Sequence, residues 1–141
     1  MSKSAFSLRV FSIYMLIVGV VLIADPNWLL ALFGVPDTHE VWIRIVGMLM
    51  LIIGFIDFMA SGNEMRLFFR WSVYARLAVT IFLIGFVVMA SAPPVILIFG
   101  AIDAGGAIWT GFCLRAENLA RSDRLLGAMR EANGVSNALL S

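Results

Sequence analysis

Residues 41–60 read Val41-Trp42-Ile43-Arg44-Ile45-Val46-Gly47-Met48-Leu49-Met50-Leu51-Ile52-Ile53-Gly54-Phe55-Ile56-Asp57-Phe58-Met59-Ala60, a run whose only charged side chains are Arg44 and Asp57. At about 1.5 Å per residue, a helix of this length covers the roughly 30 Å of hydrocarbon in a bilayer. Opposite charges in such a segment are costly in lipid, so each requires a partner or a task. The run therefore reads as one helix of a membrane bundle whose glycine-bearing side meets its neighbours.

Three more runs of the same kind lie at residues 6–24, 71–92 and 95–114, two of them carrying a buried-depth charge, Arg76 and Asp103. Hydrophobic residues make up 62% of the 141 and charged ones only 13%, with a mean hydropathy of +0.99. Four crossings use most of that length, so no large soluble domain fits beside them. The expected fold is all-α: an integral membrane four-helix transmembrane bundle over residues 1–114, followed by a cytoplasmic amphipathic tail helix over 115–141.

The first run begins with Lys3 and Arg9 and resembles a secretion signal in outline. Leu22-Ile23-Ala24 before Asp25 is a poor small-residue cleavage site, so an uncleaved first helix is expected. Asp25-Pro26-Asn27-Trp28-Leu29-Leu30-Ala31-Leu32-Phe33-Gly34 then carries an N-cap residue, a proline at the first helical position and a closing glycine. This short helix cannot span a bilayer, and Trp28 suits the interface. Segment 26–33 lies on the membrane surface in one reading and acts as a lid over the bundle in another. Ser61-Gly62-Asn63-Glu64 breaks the second span, and Ser91-Ala92-Pro93-Pro94 closes the third.

Lys3, Arg9, Arg66, Arg70, Arg115, Arg121, Arg124 and Arg130 all fall at one end of these spans, with Arg44 alone near the other. The positive-inside rule then puts both termini in the cytoplasm of a bacterial cell, with the chain in the inner membrane. In the tail, Leu119, Leu126 and Met129 recur at helical intervals among charges until Asn133-Gly134. Its arginines either hold the helix against anionic head groups or belong to a solvated extension of the fourth span.

Several chemistries are excluded by composition. Cys113 is the single cysteine and His39 the single histidine, so a disulfide framework, a CxxC pair and a multi-histidine metal centre are ruled out. His39 reads as a loop residue beside Asp37 and Glu40, and the methionines are spread through apolar runs as packing side chains. There is no nucleophile–base pair or cofactor motif, so no enzymatic activity, no metal and no cofactor is expected. The expected partners are membrane lipids, a partner membrane protein or a second copy of the chain, and not nucleic acid.

Depth sorts the four charges. Measured from the end opposite the termini, Arg44 lies at roughly 5 Å, Asp103 at roughly 12 Å, and Asp57 and Arg76 both at roughly 24 Å. Asp57 and Arg76 form the expected structural pair, with Arg44 reaching inward to Asp103 and Arg76 to Asp103 an alternative. At 100° per residue Arg44, Gly47, Gly54 and Asp57 share one broad face, and Asp103 shares its side with Gly100, Ala107, Thr110 and Gly111. Thus Asp103, with Arg44 beside it, is the candidate for handling a proton or holding a ligand.

This layout, with Phe68-Phe69-Arg70-Trp71-Ser72-Val73-Tyr74-Ala75-Arg76 opening the third span and Gly100-Ala101-Ile102-Asp103-Ala104-Gly105-Gly106-Ala107-Ile108-Trp109 in the fourth, resembles the small bacterial inner-membrane proteins grouped as DoxX-like. The resemblance covers about residues 6–114. It implies a four-helix bundle, without a common activity and without any catalytic residue to carry over. Two functions stay open. One is a non-enzymatic bundle that binds a lipophilic ligand or a partner membrane protein. The other is an oligomeric proton- or ion-coupled transporter or channel using Asp103.

Overall fold

The first two helices begin behind a side-chain cap. In the computed structural model, which describes residues 1–89 and 91–140 and side chains as far as residue 133, α1 (Lys3–Ala24) starts behind Ser2, whose hydroxyl accepts the Ala5 amide at 3.2 Å. Asp25 ends α1 and caps α2 (Pro26–Leu32) through the Trp28 amide, the Asp-Pro pairing that favours a helix start. Gly34 adopts φ +65° just after α2, a left-handed position that a Cβ disfavours. The chain then runs to α3 (Val41–Gly62) and turns through Asn63 and Glu64 into α4 (Arg66–Val88). A 3-10 turn at Pro94–Ile96 leads into α5 (Leu97–Leu140).

The expected all-α architecture is observed: five helices among the described residues, four of them long and apolar enough to cross a membrane, with α2 between the first two. The chain is thus a candidate multi-pass membrane protein. Large apolar side chains such as Ile52, Phe55, Ile81, Phe82, Ile108 and Phe112 are exposed on every long helix. Surface of that extent is rare on soluble monomers and is what hydrocarbon would cover.

The boundaries differ from the sequence reading most at the third span and the tail. The third span starts at Arg66 and not at Trp71, because Arg66 and Arg70 lower the local hydropathy without opposing helix formation. It ends at Val88, before the Pro93-Pro94 turn. The tail is no separate amphipathic helix: α5 continues unbroken past Leu114 to Leu140, and Asn133-Gly134 does not stop it. A glycine weakens a helix by about 1 kcal/mol without having to end it.

Packing is uneven. The long helices run up and down, with α1 laid along α3, α4 along α5, and α1 joining the pairs through α5; α3 and α4, though consecutive, barely meet. Glycines bring α1 and α3 into backbone contact. A Cβ on Gly19 would stand 2.9 Å from the Gly47 carbonyl oxygen, and one on Gly47 would stand 2.8 Å from Leu22 Cβ. This is the small-residue packing that membrane helices use in place of a hydrophobic driving force.

The buried apolar cluster, Ala5, Leu8, Ala60, Phe69 and Leu114, lies wholly at the end that carries both termini of the bundle, here called the basic end. Toward the other end, the buried positions are those of the α1–α3 contact and Gly100 against Thr80 and Leu83. None of residues 77–88 of α4 is buried. Beyond Arg76, therefore, the bundle divides into two helix pairs. Phe33, just past α2, meets Phe99 of α5 edge-on at 5.1 Å and links the pairs across the divided end.

Candidate functional site

Arg76 sits where the pairs divide, and each long helix supplies part of its seat. On α4 it follows Ser72 by one turn, and both are buried. Its Nη2 donates to Asp57 Oδ2 of α3 at 3.4 Å, with Arg76 5% and Asp57 3% exposed. On the α1 side the guanidinium carbon lies 3.5 Å from the centre of the Phe11 ring, a cation–π contact made strong by burial. On the α5 side Gly106 leaves room, since a Cβ there would come within 3.2 Å of both Arg76 Nη1 and Phe11 Cδ2. The expected Asp57–Arg76 pair is therefore present as a buried salt bridge between helices.

That pair does not satisfy the guanidinium. Arginine offers five N–H donors, and the buried Nε and Nη1 of Arg76 have no hydrogen-bond partner among the described residues. An unmade bond at a buried charged donor is expensive, and more so without water nearby. Asp103, one turn before Gly106 on the same side of α5, is half-buried. It forms neither a hydrogen bond nor an ion pair with Arg76 in this arrangement. Arg76 thus keeps donors to spare beside Asp57, on the side of the bundle that Gly106 of α5 faces.

Arg44 is elsewhere. It is exposed on α3, and its Nη1 donates to the Ile23 carbonyl at 2.9 Å, one of the last, otherwise open carbonyls of α1. The expected reach to Asp103 is not made. Near a helix end an arginine has a competing backbone acceptor and an easy path to the interface.

A second polar network, not anticipated from the sequence, ties the basic end together. Glu117 of α5 accepts from the Ser4 amide at 3.0 Å and the Ser4 hydroxyl at 2.8 Å, and pairs with Arg66 at 3.3 Å. Further in, the Ser7 and Thr110 hydroxyls meet at 2.8 Å, both fully buried. Thr110 donates to the Gly106 carbonyl at 2.9 Å, so the hydroxyl hydrogen between the pair belongs to Ser7. Glu64 in the α3–α4 turn accepts the Ser2 amide at 2.8 Å. Ser4, Ser7 and Phe11 stand at helical spacing on one face of α1, and that polar face was the available signal.

His39 is exposed in the connection before α3, and among the described residues no group of three His, Cys, Asp or Glu stands close enough to hold a metal ion. Comparison with family models, curated proteins and solved structures finds no match to this chain. No family assignment follows for this chain, and the likeness to the DoxX-like proteins rests on its layout and the two stretches 68–76 and 100–109.

Proposed function

We propose that this protein is a non-enzymatic bundle of the bacterial inner membrane that binds a lipophilic molecule carrying a hydrogen-bond acceptor, a carbonyl or a carboxylate, at Arg76. One observation carries the reading: a cation buried among apolar helices keeps Nε and Nη1 without acceptors. A carbonyl or acid oxygen entering between the α1/α3 and α4/α5 pairs would take those donors. The half-buried side chains Thr80, Leu83 and Val87, on the Arg76 side of α4, would cover the rest of such a molecule, a few polar groups in a mostly apolar lining being the usual form of a ligand site. In this reading α2 is a lid hinged at Asp25, with Phe33 on Phe99 as its latch. The positive-inside rule puts the basic end in the cytoplasm and the lid on the far side.

The test is mass spectrometry of lipophilic molecules that co-purify with the full chain in mild detergent. The wild type is expected to retain an acceptor-bearing species that is depleted at least tenfold in Asp57→Leu/Arg76→Met, a double variant that removes the charges together. Equal retention by both proteins defeats the proposal.

A second reading has its own support. Asp103 is a half-buried carboxylate on the side of α5 whose Gly106 faces Arg76, and it makes no hydrogen bond or ion pair among the described residues. An oligomeric proton-coupled transporter would use such an acid by exchanging Asp57 for Asp103 on Arg76. Reconstituted vesicles in which Asp103→Asn abolishes a pH-driven solute flux while folding persists would favour it, and absence of any such flux in the wild type would remove it.

A further inference from the structure

A pocket of about 390 Å³ opens at the basic end between the start of α4 and the extension of α5, lined by Arg66, Glu117, Ala120, Arg121 and Arg124. Residues 117, 120, 121 and 124 fall on one face of α5, so the straight continuation of that helix carries two arginines past Arg66. Three guanidinium groups then meet one carboxylate, and that carboxylate is already engaged: Glu117 takes two hydrogen bonds from Ser4 besides its pairing with Arg66. Arg121 and Arg124 make no ion pair among the described residues. Arg66 keeps a buried Nη1 without any acceptor. The pocket has an excess of planar donors over its one carboxylate.

We propose that this pocket binds the phosphate group of an anionic phospholipid. Arginine forks suit phosphate oxygens, which accept paired N–H bonds. The height is also that of a head group. Leu114 is the last buried residue among the described residues of α5 and closes the apolar cluster, and the pocket begins one turn beyond it. A lipid whose phosphate sits there lays its acyl chains along exposed apolar residues such as Leu67 and Trp71 of α4. The site is independent of the Arg76 cluster, lying at the closed end of the bundle where the other lies at its division.

Native mass spectrometry of the full chain in detergent, titrated with dioleoyl-phosphatidylglycerol or dioleoyl-phosphatidylcholine, tests it. The wild type is expected to bind the glycerol lipid at least tenfold more tightly. Arg121→Gln and Arg124→Gln should each cut that preference about fivefold, and both leave the Glu117 network intact, so folding is preserved. Arg130→Gln, farther along the same helix, should change it less than twofold. Equal affinity for the two lipids would overturn the assignment, and so would a loss in Arg130→Gln as large as in Arg121→Gln, which would show diffuse charge attraction. Inorganic phosphate forms the other arm: binding of phosphate alone, lost in Arg121→Gln, with no preference between the lipids, would assign the pocket to a free anion and refute the lipid.

Discussion

Asp57→Ala removes the acceptor from a guanidinium that is 5% exposed and leaves its charge buried. The pair's Coulomb attraction across 3.4 Å amounts to about 5 kcal/mol at an effective dielectric of about 20, before any desolvation is counted. Breaking a buried pair from one side typically costs about 3–5 kcal/mol. Part of that is recovered here, because the Phe11 ring still faces the cation at 3.5 Å and contributes about 1–2 kcal/mol when desolvated. The expected destabilisation is therefore about 3 kcal/mol, read as a shift in reversible unfolding by sodium dodecyl sulfate in mixed micelles. Asp57→Leu/Arg76→Met, with both charges gone, should unfold within about 1 kcal/mol of the wild type, as apolar replacement of a buried pair often does. A single variant that loses less than 1 kcal/mol, or a double variant less stable than the single, would refute the idea that the pair is a buried cost held in balance.

The other expectations concern packing and the positions where sequence and structure disagree. Gly47→Val should destabilise by about 3 kcal/mol or prevent assembly, because its Cβ meets Leu22 and the Gly19 carbonyl, whereas Gly105→Ala, with nothing within 4 Å, should raise stability by about 0.5–1 kcal/mol in the same assay. Glu117→Ala should cost about 2 kcal/mol by stranding Ser4 and Arg66, hydrogen bonds to a charged group being worth about 1.5–3 kcal/mol each and the Arg66 bond partly screened. Arg44→Ala, which loses one exposed bond to Ile23, should change stability by less than about 1 kcal/mol and leave the co-purifying molecule in place; its loss would restore Arg44 to the site.

Much of the fold was legible because lipid imposes simple rules. Residues 41–60 give α3 within two residues at its far end, since length, hydropathy and flanking turn residues all agree there. Asp57 and Arg76 could be matched by depth alone: both lie at one level inside the apolar stretch, and a charge there has few alternatives to an opposite charge. The same logic failed for Arg44, three residues from a helix end, where a neighbouring carbonyl competes with a distant carboxylate. Depth along one helix contains no information about the free backbone groups of another. The aromatic side of the Arg76 seat was hidden for a related reason. Phe11 looks like any lipid-facing phenylalanine until rotation of α1 is fixed by Gly19 against Gly47 and Ser7 against Thr110. Continuity of α5 was undecidable from pattern, because a charged helix with apolar residues at helical spacing reads alike whether it lies on a membrane or projects from it.

Arg76 is the centre of the account, and labelling in place tests it most directly. A long-chain fatty acid bearing a photoactivatable diazirine near its carboxylate, irradiated with the full chain in phosphatidylcholine vesicles, should mark residues around the guanidinium: Phe11, Tyr14, Thr80, Asp103 and Gly106. That labelling should disappear in Asp57→Leu/Arg76→Met. Labels confined to lipid-facing positions such as Ile81, Phe82 and Ile108, unchanged in the double variant, would contradict the claim that the unpaired donors of Arg76 hold a ligand.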